Sequence, residues 1–137
     1  MNPLIIDPSE FSPKVVLDPT KNIFELSGES RPENTSKFYV PILQWLEQYQ
    51  SVLYWEKDKF GQGALRTFEF KFDYFNSTSA KFIMDVLMQL DKMAQEGYNI
   101  NARWHYDKRD EDMKESGEEF SKLLKKLPIE FVEIAAA

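Results

Sequence analysis

The sequence predicts an α/β fold, and three observations carry that reading. Strand-like and helical segments alternate through the second half. An alternating run from Arg66 to Phe72 precedes a helical period, and strands from Asn99 to Tyr106 and Ile129 to Ile134 flank another. Such alternation implies right-handed crossovers and a largely parallel sheet. Two short strands, Val15-Val16-Leu17 and Ile23-Phe24-Glu25-Leu26, joined by the turn Asp18-Pro19-Thr20-Lys21-Asn22, add an N-terminal hairpin. Apolar residues make up 42% of the 137 residues and aromatics 15%, enough for one domain with its own core.

Taken in order, residues 1–13 carry Pro3, Pro8 and Pro13 and read as a loose arm, with a single domain over 14–134. Ser27 to Glu33 reads as loop. Asn34 precedes a first helix whose inner face holds Phe38, Ile42, Trp45 and Tyr49. Pro41 leaves two options there: a regular helix beginning near Val40, or a kinked one. Lys57 to Gly63 reads as a second loop. The second helix, from about Ser79 to Glu96, places Ile83, Val86, Leu87, Leu90 and Ala94 inward. Lys81, Asp85, Gln89, Lys92 and Glu96 lie opposite, and Gly97 is its stop. The third helix, roughly Asp110 to Lys126, has an acidic start and a basic last turn of Lys122, Lys125 and Lys126. Its apolar stripe is Met113, Phe120, Leu124 and Leu127, and Pro128 ends it. About five strands and three main helices in this order match the STAS (anti-sigma-factor-antagonist) type of mixed sheet.

Composition excludes several functions. The net charge of −6 argues against non-specific binding to nucleic acid or an anionic membrane. With no cysteine, there is no disulfide scaffold, thiol catalysis or cysteine zinc site. No apolar run reaches a membrane span and the N-terminus lacks a secretory pattern, so the expectation is a cytoplasmic protein. A single histidine, His105, rules out a histidine metal cluster and reads as a structural or surface residue. The acids Asp110, Glu111, Asp112 and Glu115 read as helix-start acids rather than as a cation site. No Walker loop, nucleophile elbow or nucleophile–histidine pairing is present. The reading is therefore non-enzymatic, with no metal or cofactor.

The stretch Tyr74-Phe75-Asn76-Ser77-Thr78-Ser79-Ala80-Lys81 concentrates the interest. Three consecutive hydroxyl residues sit where a buried strand hands over to a helix. A helix start gathers unpaired N–H groups and partial positive charge, which suit a phosphate. The same position equally wants Ser, Thr or Asn as an ordinary cap. Further along, Met88 falls within about 20° of Lys81 on an ideal helical wheel, and Met84 within about 60°. Methionine inside a polar stripe suits an adaptable protein-binding surface, or a contact with the arm, or scattered exposure.

Three segments together resemble the SiaC-like bacterial regulatory phosphoproteins. Gly28-Glu29-Ser30-Arg31-Pro32-Glu33-Asn34 resembles their G-[D/E]-S-x-P-E-N signature. Tyr74 to Lys81, continuing to Met84-Asp85, resembles Y-x-N-[S/T]-[S/T]-S-x-K…M-D. Arg103-Trp104-His105-Tyr106-Asp107-Lys108-Arg109-Asp110-Glu111 resembles R-W-x-Y-D-x-R-x-E. The resemblance implies a STAS-like fold without catalysis. It also implies reversible phosphorylation by a dedicated kinase, with removal by a PP2C-type phosphatase. The unmodified form is then expected to bind a partner such as a GGDEF diguanylate cyclase. The phosphoacceptor maps onto Ser77, with Thr78 as the alternate.

The partner surface expected around that acceptor comprises Asn76, Ser79, Lys81, Asp85 and Met88. Arg103, Trp104, Tyr106 and Arg109 join it from the neighbouring strand end. Arg103 or Arg109 would meet partner acids or a phosphate, or pair within their own loop. Two other classes stay open: a constitutive interaction domain without phosphorylation, and a small-ligand-binding protein using a pocket at the strand ends near Asn76.

Overall fold

The computed structural model describes residues 1–60 and 63–135. Its elements are β1 (Leu4–Ile6), β2 (Lys14–Asp18), β3 (Ile23–Ser30), α1 (Thr35–Phe60), β4 (Arg66–Phe75), α2 (Ser77–Gln95), β5 (Ile100–Asp107), α3 (Glu111–Ser121) and β6 (Ile129–Ile134). The strands form one six-stranded sheet in the order β1-β2-β3-β4-β5-β6. The first two pairings are antiparallel and the last three parallel, as the hairpin and the strand–helix alternation require. The fold is mixed α/β.

Because each parallel strand is laid beside its predecessor in one direction, right-handed crossovers put every connecting helix on the same face. Burial follows that rule. Phe24, Leu26, Phe68, Phe70, Phe72, Ala102 and Trp104 point to the helices and are buried with Ile42 and Leu46 of α1, Ile83 and Leu87 of α2 and Met113 of α3. Phe24 stacks on its register partner Phe68 at 4.4 Å. The alternate residues line the other face, where charges replace packing. Glu25, Glu69, Arg103 and Glu130 stand in one register row across β3 to β6. Lys71 reaches Glu25 at 2.9 Å, and His105 Nε2 lies 2.7 Å from Glu69 Oε1.

Several element boundaries differ from expectation. The arm is not wholly loose: Leu4–Ile6 adds an edge strand on β2, and Trp45 Nε1 donates to the Asn2 carbonyl at 3.0 Å. β3 extends to Ser30 because Gly28, at φ +104°, carries a bulge that lets the strand continue on β4. α1 starts at Thr35, capped by Asn34, whose Oδ1 accepts from Lys37 N at 3.0 Å. Pro41 is accommodated inside it on the exposed side, where an orphaned carbonyl can meet water. The loop expected over Lys57–Gly63 is helical through Phe60, since no glycine or proline intervenes; Gly61 and Gln62 lie outside the described residues.

α2 ends as expected. Gly97 adopts φ +97°, Gly97 N donates to Ala94 O, and Tyr98 N donates to Met93 O, so the freed carbonyls are satisfied. α3 is shorter than expected and stops at Ser121, which leaves Lys122, Lys125 and Lys126 in a connection rather than a last turn. That connection is held by Asp91 of α2. Its carboxylate accepts from the backbone N–H groups of Lys125, Lys126 and Leu127 at 2.7–3.2 Å. No helix among the described residues is long and apolar enough to cross a membrane.

Candidate functional site

The segment 74–81 lies at the C-terminal edge of the parallel strands, where β4 turns directly into α2. Asn76 is the cap of α2: extended at φ −83° and ψ 174°, it accepts from Ser79 N at 2.8 Å through its side chain. With the cap supplied by Asn76, Ser77 and Thr78 are released from that task. Both are exposed at the first two helical positions, and neither hydroxyl makes a hydrogen bond among the described residues. Lys81 is exposed one turn on.

Ser79 is the opposite case. It is fully buried, and its hydroxyl donates to the Ser30 carbonyl at 3.0 Å. Ser30 Oγ in turn donates to Ser79 Oγ at 2.9 Å and lies 2.6 Å from the Tyr39 hydroxyl. Since the single Ser30 proton is spent on Ser79, Tyr39 must donate to Ser30. The Ser30 carbonyl also accepts from Asn76 N at 3.1 Å. This buried chain ties β3, α1 and α2 together beneath the exposed hydroxyls. Burial, opposed by the hydrogen bonds of Ser30 and Ser79, pushes the Tyr39 phenol up to about 12. Ser79 therefore leaves the expected partner surface; it supports the site from inside.

Along α2, Lys81 and Met88 are exposed, Met88 at 52%, and Asp85 is half-buried. Met84 packs against the core instead. The strand-end residues divide. Trp104 is 1% exposed, and its indole N–H donates to the Met113 carbonyl at 2.9 Å, so it is a core residue rather than a contact. Alternation explains this: even-numbered residues of β5 face the helices. Arg103 consequently faces the helix-free side of the sheet. There it meets Glu69 at 3.4 Å, and its buried Nε reaches Glu130 at 3.2 Å. Tyr106 is half-buried, with Lys114 Nζ 5.9 Å from its ring centre. Arg109 is exposed and paired within its own loop: its N–H donates to Asp107 Oδ1 at 2.8 Å. That bond, foremost, holds the Asp107 carboxyl below the usual carboxylate range. Among the described residues neither arginine bonds to residues 76–81.

A cleft of about 530 Å³ does open at the ends of β4, β5 and β6, lined by Lys71, His105 and Arg109 among others, but Asn76 is not part of it. A larger groove of about 1190 Å³ adjoins Thr78 and runs between the arm and the first turns of α1 and α2. The sequence reading missed this groove and the Tyr39–Ser30–Ser79 chain. It also missed the exposed pair Tyr54 and Trp55, the latter 80% exposed. Only the serine of the Gly28-Glu29-Ser30 motif hinted at any of them.

Known proteins resemble this chain in sequence and in fold. The family model of the SiaC family regulatory phosphoproteins matches residues 6–134. An uncharacterized protein of Pseudomonas aeruginosa (strain UCBPP-PA14) is 30% identical over 120 residues, 88% of each chain. The crystal structure of apo-SiaC from Pseudomonas aeruginosa superimposes with a TM-score of 0.80 at 26% identity, covering 96% of this chain and 99% of that one. A chain in the structure of the diguanylate cyclase SiaD in complex with its activator SiaC, from the same organism, gives 0.81 at 27% identity over the same shares. The chain belongs to the SiaC family of regulatory phosphoproteins.

Proposed function

We propose that this protein is a phosphorylation-controlled switch whose unmodified form binds and regulates a GGDEF-type diguanylate cyclase. In this reading a dedicated kinase phosphorylates Ser77, with Thr78 the alternate acceptor, and a PP2C-type phosphatase reverses the step. The protein itself performs no chemistry. The observation that carries the reading is the division of labour among neighbouring residues. Asn76 caps the helix and Ser79 is locked in the core, while Ser77 is exposed with no structural bond to lose. The SiaD–SiaC complex supports a cyclase as the partner.

Magnitudes say how such a switch would act. A phosphate adds about −1.5 to −2 charges and three acceptor oxygens. At a helix N-terminus an anion is favourable by roughly 0.3–1 kcal/mol, so the fold tolerates the modification. The same charge set against acids across an interface costs several kcal/mol, so binding does not. No large movement is needed.

The test is phosphopeptide mass spectrometry after incubation with the kinase, joined to a binding assay with the cyclase. One phosphate on Ser77, loss of binding, and its recovery after phosphatase treatment are the expected results. Phosphate found only at a site distant from residues 76–79 sinks the assignment. A Ser77→Ala variant should remain folded and bind whether or not the kinase is present.

A further inference from the structure

We propose that the groove between the arm and the first turns of α1 and α2 is the docking site for an acidic partner segment anchored by an apolar side chain. The inference rests on the partner-switching reading and names the chemistry that the partner must present. The groove's apolar walls come from three separate stretches: Phe11 of the arm, Phe38 of α1 and Phe82 of α2. Phe11 is 45% exposed. Phe38 and Phe82 are half-buried and held by Tyr39, which Phe38 meets edge-on at 5.1 Å and Phe82 stacks on at 5.6 Å. The arm is fixed against the site, since Arg31 N donates to the Phe11 carbonyl at 2.8 Å. Three rings on a rigid support, open to solvent in a concavity, suit one aliphatic or aromatic anchor.

Unpaired bases stand beside these rings although the chain as a whole is acidic. The protein carries −6, yet Lys37 and Lys81 stand exposed beside the groove, and neither forms an ion pair among the described residues. Lys81 Nζ lies 5.8 Å from the Phe82 ring centre, and the Arg31 guanidinium lies 4.5 Å over Phe11 while pairing with Glu29. Neither α1 nor α2 has an acid in its first turn, whereas α3 has Glu111 and Asp112. Glu33 is on the lining and Glu10 precedes Phe11 in the arm, and against these two acids stand Lys37, Lys81 and the partial positive charge of two helix starts. An occupant bearing Asp or Glu beside its anchor is thus attracted, and a basic one is repelled. Thr78 lines the groove and Ser77 precedes it, so a phosphate on either reverses the local sign and expels an acidic segment without moving the backbone.

The experiment uses two fluorescein-labelled peptides with the same Leu and Phe anchors, one flanked by Asp and Glu, the other by Lys and Arg. Each is titrated against the full chain by fluorescence anisotropy. The acidic peptide should bind at least about tenfold tighter at low salt, the ratio shrinking as added salt approaches about 0.5 M. Lys37→Glu and Lys81→Glu should each weaken it about tenfold, and Phe11→Ser should weaken it too, with melting temperatures unchanged. Equal or tighter binding of the basic peptide, no binding of either, or indifference to all three substitutions overturns the proposal. No kinase or cyclase enters this test, so its failure leaves the switch reading standing. Conversely, a working groove on a chain that never takes phosphate at residues 77–78 would sink the switch alone.

Discussion

Ser30 and Ser79, 49 residues apart, are joined by two hydrogen bonds: Ser30 Oγ donates to Ser79 Oγ at 2.9 Å, and Ser79 Oγ donates to the Ser30 carbonyl at 3.0 Å. The pair fixes the end of β3 to the first turn of α2, directly below Ser77. It separates hydroxyls that hold the fold from the exposed hydroxyls of Ser77 and Thr78, which make no hydrogen bond among the described residues.

That separation predicts opposite outcomes for neighbouring alanine substitutions. Ser79→Ala leaves the Ser30 hydroxyl short of its acceptor in a buried site and should cost about 1–3 kcal/mol. Asn76→Ala removes a cap and should cost about 1 kcal/mol. Ser77→Ala should change stability by less than about 0.5 kcal/mol. Urea unfolding of the three variants measures this directly; a Ser77→Ala loss as large as that of Ser79→Ala would contradict the assignment.

Tyr39 extends the same chain, and its phenol is pushed up to about 12 by burial. The unfolded phenol titrates near 10, so the folded chain holds this proton more tightly. Its contribution to stability is complete below pH 10 and fades as pH rises through about 12. Burial raises Tyr49 and Tyr98 as well, so absorbance titration at alkaline pH should show several tyrosines ionising late, and Tyr39→Phe should remove one of them.

Asp91 gives the acid-side counterpart. Burial alone would raise its carboxyl. The backbone N–H groups of Leu127, Lys126 and Lys125, with the Gln95 amide, outweigh that and hold it below the ordinary 3.8. Stability from this residue is present above that ordinary value and is lost as pH falls through the lower, folded value. Asp91→Ala strands three backbone donors and should cost about 2–4 kcal/mol at neutral pH, with a weaker acid dependence of the melting temperature.

Gly117 is required by its neighbour. A Cβ there would lie 2.5 Å from Trp104 Cδ1 and 2.9 Å from Phe131 Cε1. Alanine normally gains about 1 kcal/mol over glycine inside a helix. Here Gly117→Ala should instead destabilise by about 1–3 kcal/mol, because α3 must lift from the indole. Near-ultraviolet circular dichroism of the tryptophan band would report the displacement.

On the surface of α2, Met88→Asp and Lys81→Glu should each weaken cyclase binding in calorimetry by about 1–2 kcal/mol. Melting temperatures should stay nearly constant, since both side chains are exposed. Unchanged affinity in both would move the interface off this helix.

Much of the architecture was legible because it follows from local period and order. Alternation of Phe68, Phe70 and Phe72, the 3.6-residue stripe of Ile83, Leu87 and Leu90, and the strand–helix succession after Arg66 left little choice beyond a largely parallel sheet with a hairpin, while the strand order that puts all helices on one face came from the structure. The position of Ser77 at a helix start was equally local. What the sequence left open was decided by partners distant along the chain. Asn34 and Asn76 took the caps, which freed Ser77; Ser30 and Tyr39 buried Ser79; the parity of β5 turned Trp104 inward and Arg103 to the opposite face. α3 gave up its last turns because Asp91, twenty residues before it, offered the backbone of residues 125–127 a better set of hydrogen bonds. The groove is the extreme case. Phe11, Phe38 and Phe82 have no relation in sequence, and only the packing of two helix starts under one arm brings their rings together. Local pattern determines which face a residue occupies on its own element; tertiary contact decides what it faces.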